Sequence, residues 1–496
     1  MTREEALAIY RADPDAVIKA LCDLYAENKA LWERIKILEE ELKVLKERLA
    51  QNSRNSSNPP SSDGPDKPAP RSLRPRGERK SGGQPGHKGH TLKMVEKPQH
   101  TIRHQVEKCE KCGRSLQERE ATDIERRQVF DVPPVKIEVT EHQAEIKECA
   151  CGHLNKAAFP EGVTAPVQYG PDIRAKAVYL RDYQLIPLGR TCEVLSDFFG
   201  CEMGEGTLNN VTDRCFEVLE EPVEQIKQHI IESSVVNFDE TGSRVNGKNQ
   251  WLHVAGTPNL TYYQINPKRG SEAMDEIGIL PHFEGRAVHD FWSPYFKYDC
   301  KHGLCNIHHL RELTFVYEEQ GQACPLAGPG VWARHMIDCL LDIKKAVDEA
   351  KNFTDSLTEE QIREFEERYK EILKEGYEAN PLSKQPTSNK KRGRRKKSKA
   401  RNLVERLDNY RKNALSFMYD FSVPFDNNLG ERDVRMMKVQ QKISGCFRSE
   451  DGAKVFSRIR SYISTARKNG INAIDALKKA IAGAPFMPLP GDTHYP

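Results

Sequence analysis

The sequence predicts a multidomain α+β protein, and three observations carry that prediction. The chain has 496 residues, too many for one compact core. Strand-like alternation is confined to roughly residues 235–292, with helical periodicity on either side. Ahead of both lies a segment with two close cysteine pairs, Cys109/Cys112 and Cys149/Cys151. Composition shifts then divide the chain: a dimerisation helix over 1–52, a basic Gly/Pro/Ser-rich linker over 53–98, a cysteine ribbon over 99–162 and a helical DNA-binding or packing domain over 163–232. The first part of a mixed core follows over 233–315, a helical insertion with a basic loop over 316–422, and the rest of the core with C-terminal helices over 423–496.

The net charge of only +3 hides acidic helices separated by strongly basic stretches, so local clusters decide whether the chain meets a polyanion. No apolar run approaches the roughly 20 residues of a membrane span. The opening MTREEALAIY lacks the apolar centre of a signal peptide, so a cytoplasmic location is expected. Thirteen cysteines, an odd number and mostly scattered, fit a reducing compartment with free thiols and one metal site.

Residues 15–51 read as a coiled coil. Leu24, Leu31, Leu38 and Leu45 recur every seven residues at d, which places Asn28, Ile35, Leu42 and Leu49 at a. Asn28 favours a defined two-stranded register, and the g-to-e pairs Arg34/Glu39 and Glu41/Lys46 are attractive in a parallel homodimer. A single amphipathic helix packed on its own chain is the alternative. The helix stops at QNSRNSSNPPSSDGPDKPAP, where Asn, Ser and Pro leave no apolar face. The basic stretch after it offers Arg71, Arg74, Arg76, Arg79, Lys80 and Lys88 to a phosphate backbone, or is a solvated linker.

Cys109-x-x-Cys112 and Cys149-x-Cys151 match a structural tetrahedral zinc site, each followed by the glycine of a tight knuckle, Gly113 or Gly152. The second pair is one residue short, so His104 or His153 could replace a thiolate. Between the pairs, two strands are expected around Pro133 and Pro134. Residues 165–232 then read as helices broken near Gly200, Gly204 and Gly206, in outline like a helix-turn-helix but more simply a packed helical unit.

VVNFDETGSRV, NQWLHVAGTPN and LTYYQINPKR read as three antiparallel strands, the first two joined at Asn246-Gly247, with GRAVHDFW as a fourth. A helix begins at about Cys305, and Cys305-x-x-His308 looks like half a metal site with no second half in the sequence. Further on, nine of the fifteen residues from Thr387 to Arg401 are basic. Lys390, Lys391, Arg392, Arg394, Arg395, Lys396 and Lys397 in that run are candidates for nucleic-acid contact.

Three acids carry the chemistry. Asp239 is expected where the VVNF strand ends, Asp290 follows a second short apolar run, and Glu431 opens a long helix; the spacings are 51 and 141 residues. Carboxylates converging at the rim of a sheet hold divalent metal, although any one alone would pass for a surface group. Asp299, nine residues beyond Asp290, is a rival for the second position. Asn428, Arg432, Lys438 and Lys442 lie about a helical turn or its multiples from Glu431, as phosphate-orienting groups or as a salt-bridged surface.

Taken together, the heptads followed by NSRNSSNPPSSD, GGQPGHKGH, the cysteine pairs, FDETG, the Cys305–His308 helix start and DNNLGER through ISGCFRS resemble the bacterial transposases of the insertion sequence 66 family. The resemblance spans nearly the whole chain and implies a ribonuclease-H-like core with a helical insertion. It also implies Asp239, Asp290 and Glu431 as a DDE catalytic triad, and mobilisation of DNA between terminal inverted repeats with accessory proteins. Such a triad would share two Mg2+ ions about 3.5–4 Å apart, first freeing a 3′-hydroxyl at the element end and then joining it to target DNA. Double-stranded element ends and target would be the partners, in the nucleoid. The competing readings are a noncatalytic zinc-containing DNA-binding dimer and a metal-dependent nuclease that cuts without joining.

Overall fold

A computed structural model describes residues 3–51, 55, 92–132, 135–320, 328–382 and 397–489. It is a multidomain α+β architecture with a cysteine-rich N-terminal region and a mixed α/β core. No described helix is long and apolar enough to cross a membrane.

Helix α1 (Arg3–Ala12) leads into α2 (Pro14–Ala50), a single uninterrupted helix whose Leu24, Leu31, Leu38 and Leu45 are all exposed along its length. In the cysteine region, β1 (Ile146–Glu148) pairs antiparallel with β2 (Leu154–Lys156) around the second cysteine pair. The strands expected around Pro133 and Pro134 are not formed by the described residues, and these two prolines lie outside them. Val129, Val132, Val135 and Val139 are exposed instead, so the alternation there has no partner face to bury against.

The helical unit is α3 (Pro171–Val178), a π-helical turn at Tyr179–Tyr183, α4 (Leu188–Phe199), α5 (Glu205–Val218) and α6 (Glu220–Ile231). The expected break is at Gly200, which caps α4 in the left-handed conformation at φ 65°.

The core sheet contains β3 (Val235–Val245), β4 (Lys248–Gly256), β5 (Thr261–Asn266), β6 (Arg286–His289) and β7 (Lys301–Leu304). Its order is β5-β4-β3-β6-β7. The first three strands are antiparallel, and β6 and β7 run parallel to β3. Asn246 and Gly247 turn the first hairpin at φ 49° and 74°, the pair of positive values that a two-residue turn needs. Strand β7 was not expected, since KHGL offers little apolar signal; it forms because its register with β6 places Gly303 and Leu304 in the interior.

Helix α7 (Ser271–Ile277) links β5 to β6, and α8 (Asn306–Gln320) leaves β7. The insertion packs α8 against α9 (Val331–Ala350), α10 (Glu359–Ala379), α11 (Lys399–Asn409) and the short α12 (Arg411–Ala414) and α13 (Ser416–Tyr419). Trp332 is buried at its centre, so close to Gly376 that a Cβ there would sit 3.1 Å from the indole. Trp332→Ala is expected to remove about 3–5 kcal/mol from this unit, read by urea unfolding.

The chain closes with α14 (Asn428–Ser444), α15 (Glu450–Lys468) and α16 (Ala473–Ile481). Helix α15 covers the β5 edge: Ser461 Oγ accepts the Tyr263 N–H at 2.8 Å and Thr465 Oγ1 the Thr261 N–H at 3.0 Å. The outer donors of an edge strand are thereby satisfied by side chains. Along β3, Val236 and Phe238 join the cluster formed with α6, α15 and α16. Asn237, Asp239 and Thr241 alternate to the opposite face, beneath α14.

Candidate active site

Asp239 lies in the middle of β3, not at its end as its position after VVNF suggested. The parallel partner β6 pairs only with Val235–Asn237, so beyond Asn237 the strand continues against β4 alone. Asp239 therefore stands just past the end of the parallel pairing, where one side of the strand opens. Asp290 immediately follows β6, and its Oδ1 accepts the Trp292 N–H at 3.0 Å.

Glu431 is brought in by the start of α14, whose N-cap residue Asn427 is fastened to β3. Asn427 Oδ1 accepts from Asn237 Nδ2 at 2.8 Å, Asn427 Nδ2 donates to the Phe238 carbonyl at 2.8 Å, and the Asn427 N–H donates to Cys305 Sγ at 3.2 Å. Gly430 permits the close approach: a Cβ there would lie 3.3 Å from Asp239 Cβ and 3.1 Å from Asn427 Oδ1. Further along, Lys468 Nζ donates to Asp433 Oδ2 at 2.8 Å and to the carbonyls of Thr257 and Leu260 at 2.9 Å each. The DNNLGER motif is thus a docking sequence as much as a carrier of Glu431.

Asp239 feels the charges of the other two acids. Burial, followed by the charge of Glu240 and then those of Asp290 and Glu431, pushes the Asp239 carboxyl well above the usual carboxylate range, against the Glu240 N–H that it accepts at 2.9 Å. Asp299, the rival, is exposed just ahead of β7 and is not among those charges. An acid whose proton is held more tightly in the folded state contributes stability that is complete below its unfolded value of about 3.9 and fades as pH rises through the higher folded value. Metal-free Asp239→Asn should therefore melt above the wild type at neutral pH, by about 2–4 °C for each kcal/mol relieved. The difference should close below pH 4, as followed by scanning fluorimetry across pH.

Glu240, next to Asp239, points to the other face and was not singled out by the sequence. Only 2% of its side chain is exposed. Its Oε1 takes both Nε and Nη2 of Arg269, at 3.0 and 2.7 Å, while Oε2 accepts the Tyr295 hydroxyl at 2.6 Å. Burial first and Asp290 second raise its pKa, with Tyr295 and Arg269 opposing. Arg269 in turn lies over Trp251 and Trp292, 4.8 and 4.1 Å from their ring centroids. Trp292 is two residues from Asp290, so Glu240 holds the turn that carries Asp290.

The Cys305–His308 pair has a third candidate ligand beside it, Glu431, which the sequence did not reveal. Cys305 ends the β7–α8 junction, His308 lies in the first turn of α8, and Glu431 faces them both, with one ligand atom of each within 4.8 Å of the others. Asn306 secures the junction through its N–H to the Phe425 carbonyl at 3.1 Å and Nδ2 to the Ala414 carbonyl at 2.8 Å.

In the ribbon, Gly113 and Gly152 adopt φ 71° and 82°, as tight knuckles require. Backbone N–H groups of Cys112 and Lys111 lower the Cys109 thiol pKa, and the N–H of Cys151 lowers that of Cys149. Among the described residues, no three of the four sulfurs lie within 4.8 Å of one another.

Of the cationic candidates, Arg432 and Lys442 are exposed on α14, as is Asn428. Lys438 is half-buried and donates to the Gly242 carbonyl at 3.0 Å. Lys397 is paired with Glu405. Arg71, Arg74, Arg76, Arg79, Lys80, Lys88, Lys390, Lys391, Arg392, Arg394, Arg395 and Lys396 lie outside the described residues.

Comparison with known families gives the class first: this is a transposase-type enzyme that acts on DNA. Residues 166–455, more than half of the chain, match the family described as Transposase IS66, and the chain belongs to that family. Residues 107–152 match the zinc-finger binding domain of transposase IS66, and residues 13–93 a family of unknown function. No curated protein matches the chain in sequence.

Proposed function

We propose that the protein is a DDE-type DNA transposase in which Asp239, Asp290 and Glu431 are the catalytic acids on a ribonuclease-H-like core. The observation that carries this reading is the convergence of β3, the end of β6 and the start of α14 on one carboxylate cluster, together with the family match. The strand order, with two parallel strands added beside an antiparallel three-stranded meander, supports the fold.

The three carboxylates suit a hard divalent cation: one of them is strongly disfavoured as an anion by burial and its charged neighbours, and Glu431 Oε1 is buried with no hydrogen-bond partner among the described residues. Two Mg2+ ions bound there would activate the attacking oxygen and neutralise charge on the phosphate and the departing oxygen. Asp239, Asp290 and Glu431 would hold the cations, and Asn427 and Glu240 fix the elements that carry them. Arg432 and Lys442, exposed on the Glu431 helix, draw in the phosphate backbone. In the first step a water oxygen attacks the phosphorus at the element end, the bond from phosphorus to the 3′-oxygen breaks, and a 3′-hydroxyl and a 5′-phosphate result. In the second, that 3′-hydroxyl loses its proton, bonds to a target phosphorus and displaces the target's own 3′-oxygen. No covalent enzyme intermediate is required.

Cys109, Cys112, Cys149 and Cys151 would carry a structural Zn2+, supported by the two glycine knuckles and the zinc-finger match. The exposed Leu stripe of α2 supports a parallel two-stranded coiled coil between two copies. The basic stretches around Lys80 and Lys390 would add nonspecific DNA contact, and element-encoded accessory proteins would complete the assembly.

The test is incubation of the protein with a labelled duplex carrying the element's end, target DNA and Mg2+. Joined product that disappears with chelator is the expected result. Cutting without joining would indicate a nuclease, and retention of DNA without either would indicate a binding protein.

A further inference from the structure

The cluster of Cys305, His308 and Glu431 does more than crowd one carboxylate. His308 Nδ1 and Glu431 Oε1 are both buried without a hydrogen-bond partner among the described residues, and they face each other across 3.9 Å. That separation is too long for a hydrogen bond. Leaving two buried polar atoms unsatisfied is costly, and a cation between them would satisfy both. Cys305 Sγ is the third atom of the group and accepts the Asn427 N–H at 3.2 Å, the kind of backbone support that holds a sulfur in place. Cys305 and His308 are three residues apart at the start of α8, so both side chains share a face, and Asn427 joins that face to the helix bearing Glu431.

We propose that His308 is a nitrogen ligand to the divalent cation held by Glu431, with Cys305 as an adjoining sulfur donor, so that this half of the centre favours a borderline transition metal over Mg2+. The inference rests on the carboxylate centre proposed above and adds to it a ligand of different chemistry. Imidazole and sulfur raise affinity for Zn2+ relative to a purely oxygen site, and Mn2+ accepts an imidazole nitrogen more readily than Mg2+, which gains little from either. Asp239 and Asp290, with oxygen donors alone, would retain the preference for a hard ion. The two halves of the centre would then differ in metal selectivity.

The probe is Mn2+ bound to the zinc-replete full chain, read by electron spin-echo modulation from nitrogen nuclei close to the metal. Wild-type protein should show 14N modulation, converted to a 15N pattern when the chain is made with 15N-histidine; this arm needs no variant. His308→Gln should lose the modulation and bind Mn2+ about 10-fold more weakly, with Mg2+ affinity unchanged. Mn2+ that is lost in Glu431→Gln yet shows no nitrogen modulation in the wild type would overturn the His308 assignment and leave the carboxylate centre standing. Modulation that persists in His308→Gln would also overturn it. Mn2+ binding indifferent to both Asp239→Asn and Glu431→Gln would overturn the centre itself.

Discussion

Asp239→Asn is expected to lower both cleavage at an element end and joining to target on the order of 10^4-fold, the scale seen when one member of a catalytic unit is removed. Asparagine keeps the size of the side chain and an oxygen for the Glu240 N–H, which aspartate accepts at 2.9 Å, so the strand is not disturbed. It removes a charge that is costly without a cation, since burial and the charges of Glu240, Asp290 and Glu431 all oppose ionisation. Retention of the labelled duplex in a gel should be unchanged, because Arg432, Lys442 and the basic stretches are untouched. Joined product from this variant at wild-type rate would remove Asp239 from the catalytic set.

Asn427→Ala should be the most damaging change that touches no reacting atom. It leaves Asn237 Nδ2 and the Phe238 carbonyl without their partner in a buried position. The expected loss is about 2–6 kcal/mol, at about 1–3 kcal/mol for each stranded group. Because Asn427 also sets where α14 begins, Glu431 should shift, and a displacement of about 1 Å is enough for roughly 10^2-fold in rate. Asn428→Ala is the control: its side chain is exposed, and its backbone N–H, which the substitution keeps, bonds to Asp426. Thermal melts should separate the two variants clearly. Equal melting temperatures for both would contradict the docking role of Asn427.

Much of the core was legible because its signals are local. Period-2 alternation around Phe238 and the Asn246-Gly247 turn mark the first hairpin, and the apolar run before Asp290 marks β6. What escaped depends on contacts distant in sequence. β7 is a strand because β6 lies beside it, since KHGL carries no strand pattern of its own. The continuation of β3 through Asp239 to Val245 is likewise set by pairing with β4. The strands expected between the cysteine pairs failed for the converse reason: an alternating sequence without a partner stays unpaired.

The same division runs through the site. FDETG and DNNLGER pointed to Asp239 and Glu431, but Asn427 and Gly430 gain their meaning only from the contact between α14 and β3. Glu240 was passed over because its role comes from alternation along the strand, which sends it to the other face, against Arg269 and Tyr295. Cys305 and His308 looked like an incomplete metal motif because their third member, Glu431, arrives after the whole helical insertion.

The central claim is that Asp239, Asp290 and Glu431, from three separate elements, make one divalent-metal centre. Counting bound Mn2+ by its free-ion resonance in the wild type and in single amide variants tests it most directly. Asp239→Asn, Asp290→Asn and Glu431→Gln should each weaken binding about 10-fold or more, while Asp299→Asn binds as the wild type does. Loss of binding in Asp299→Asn with full binding in Asp290→Asn would contradict the assignment.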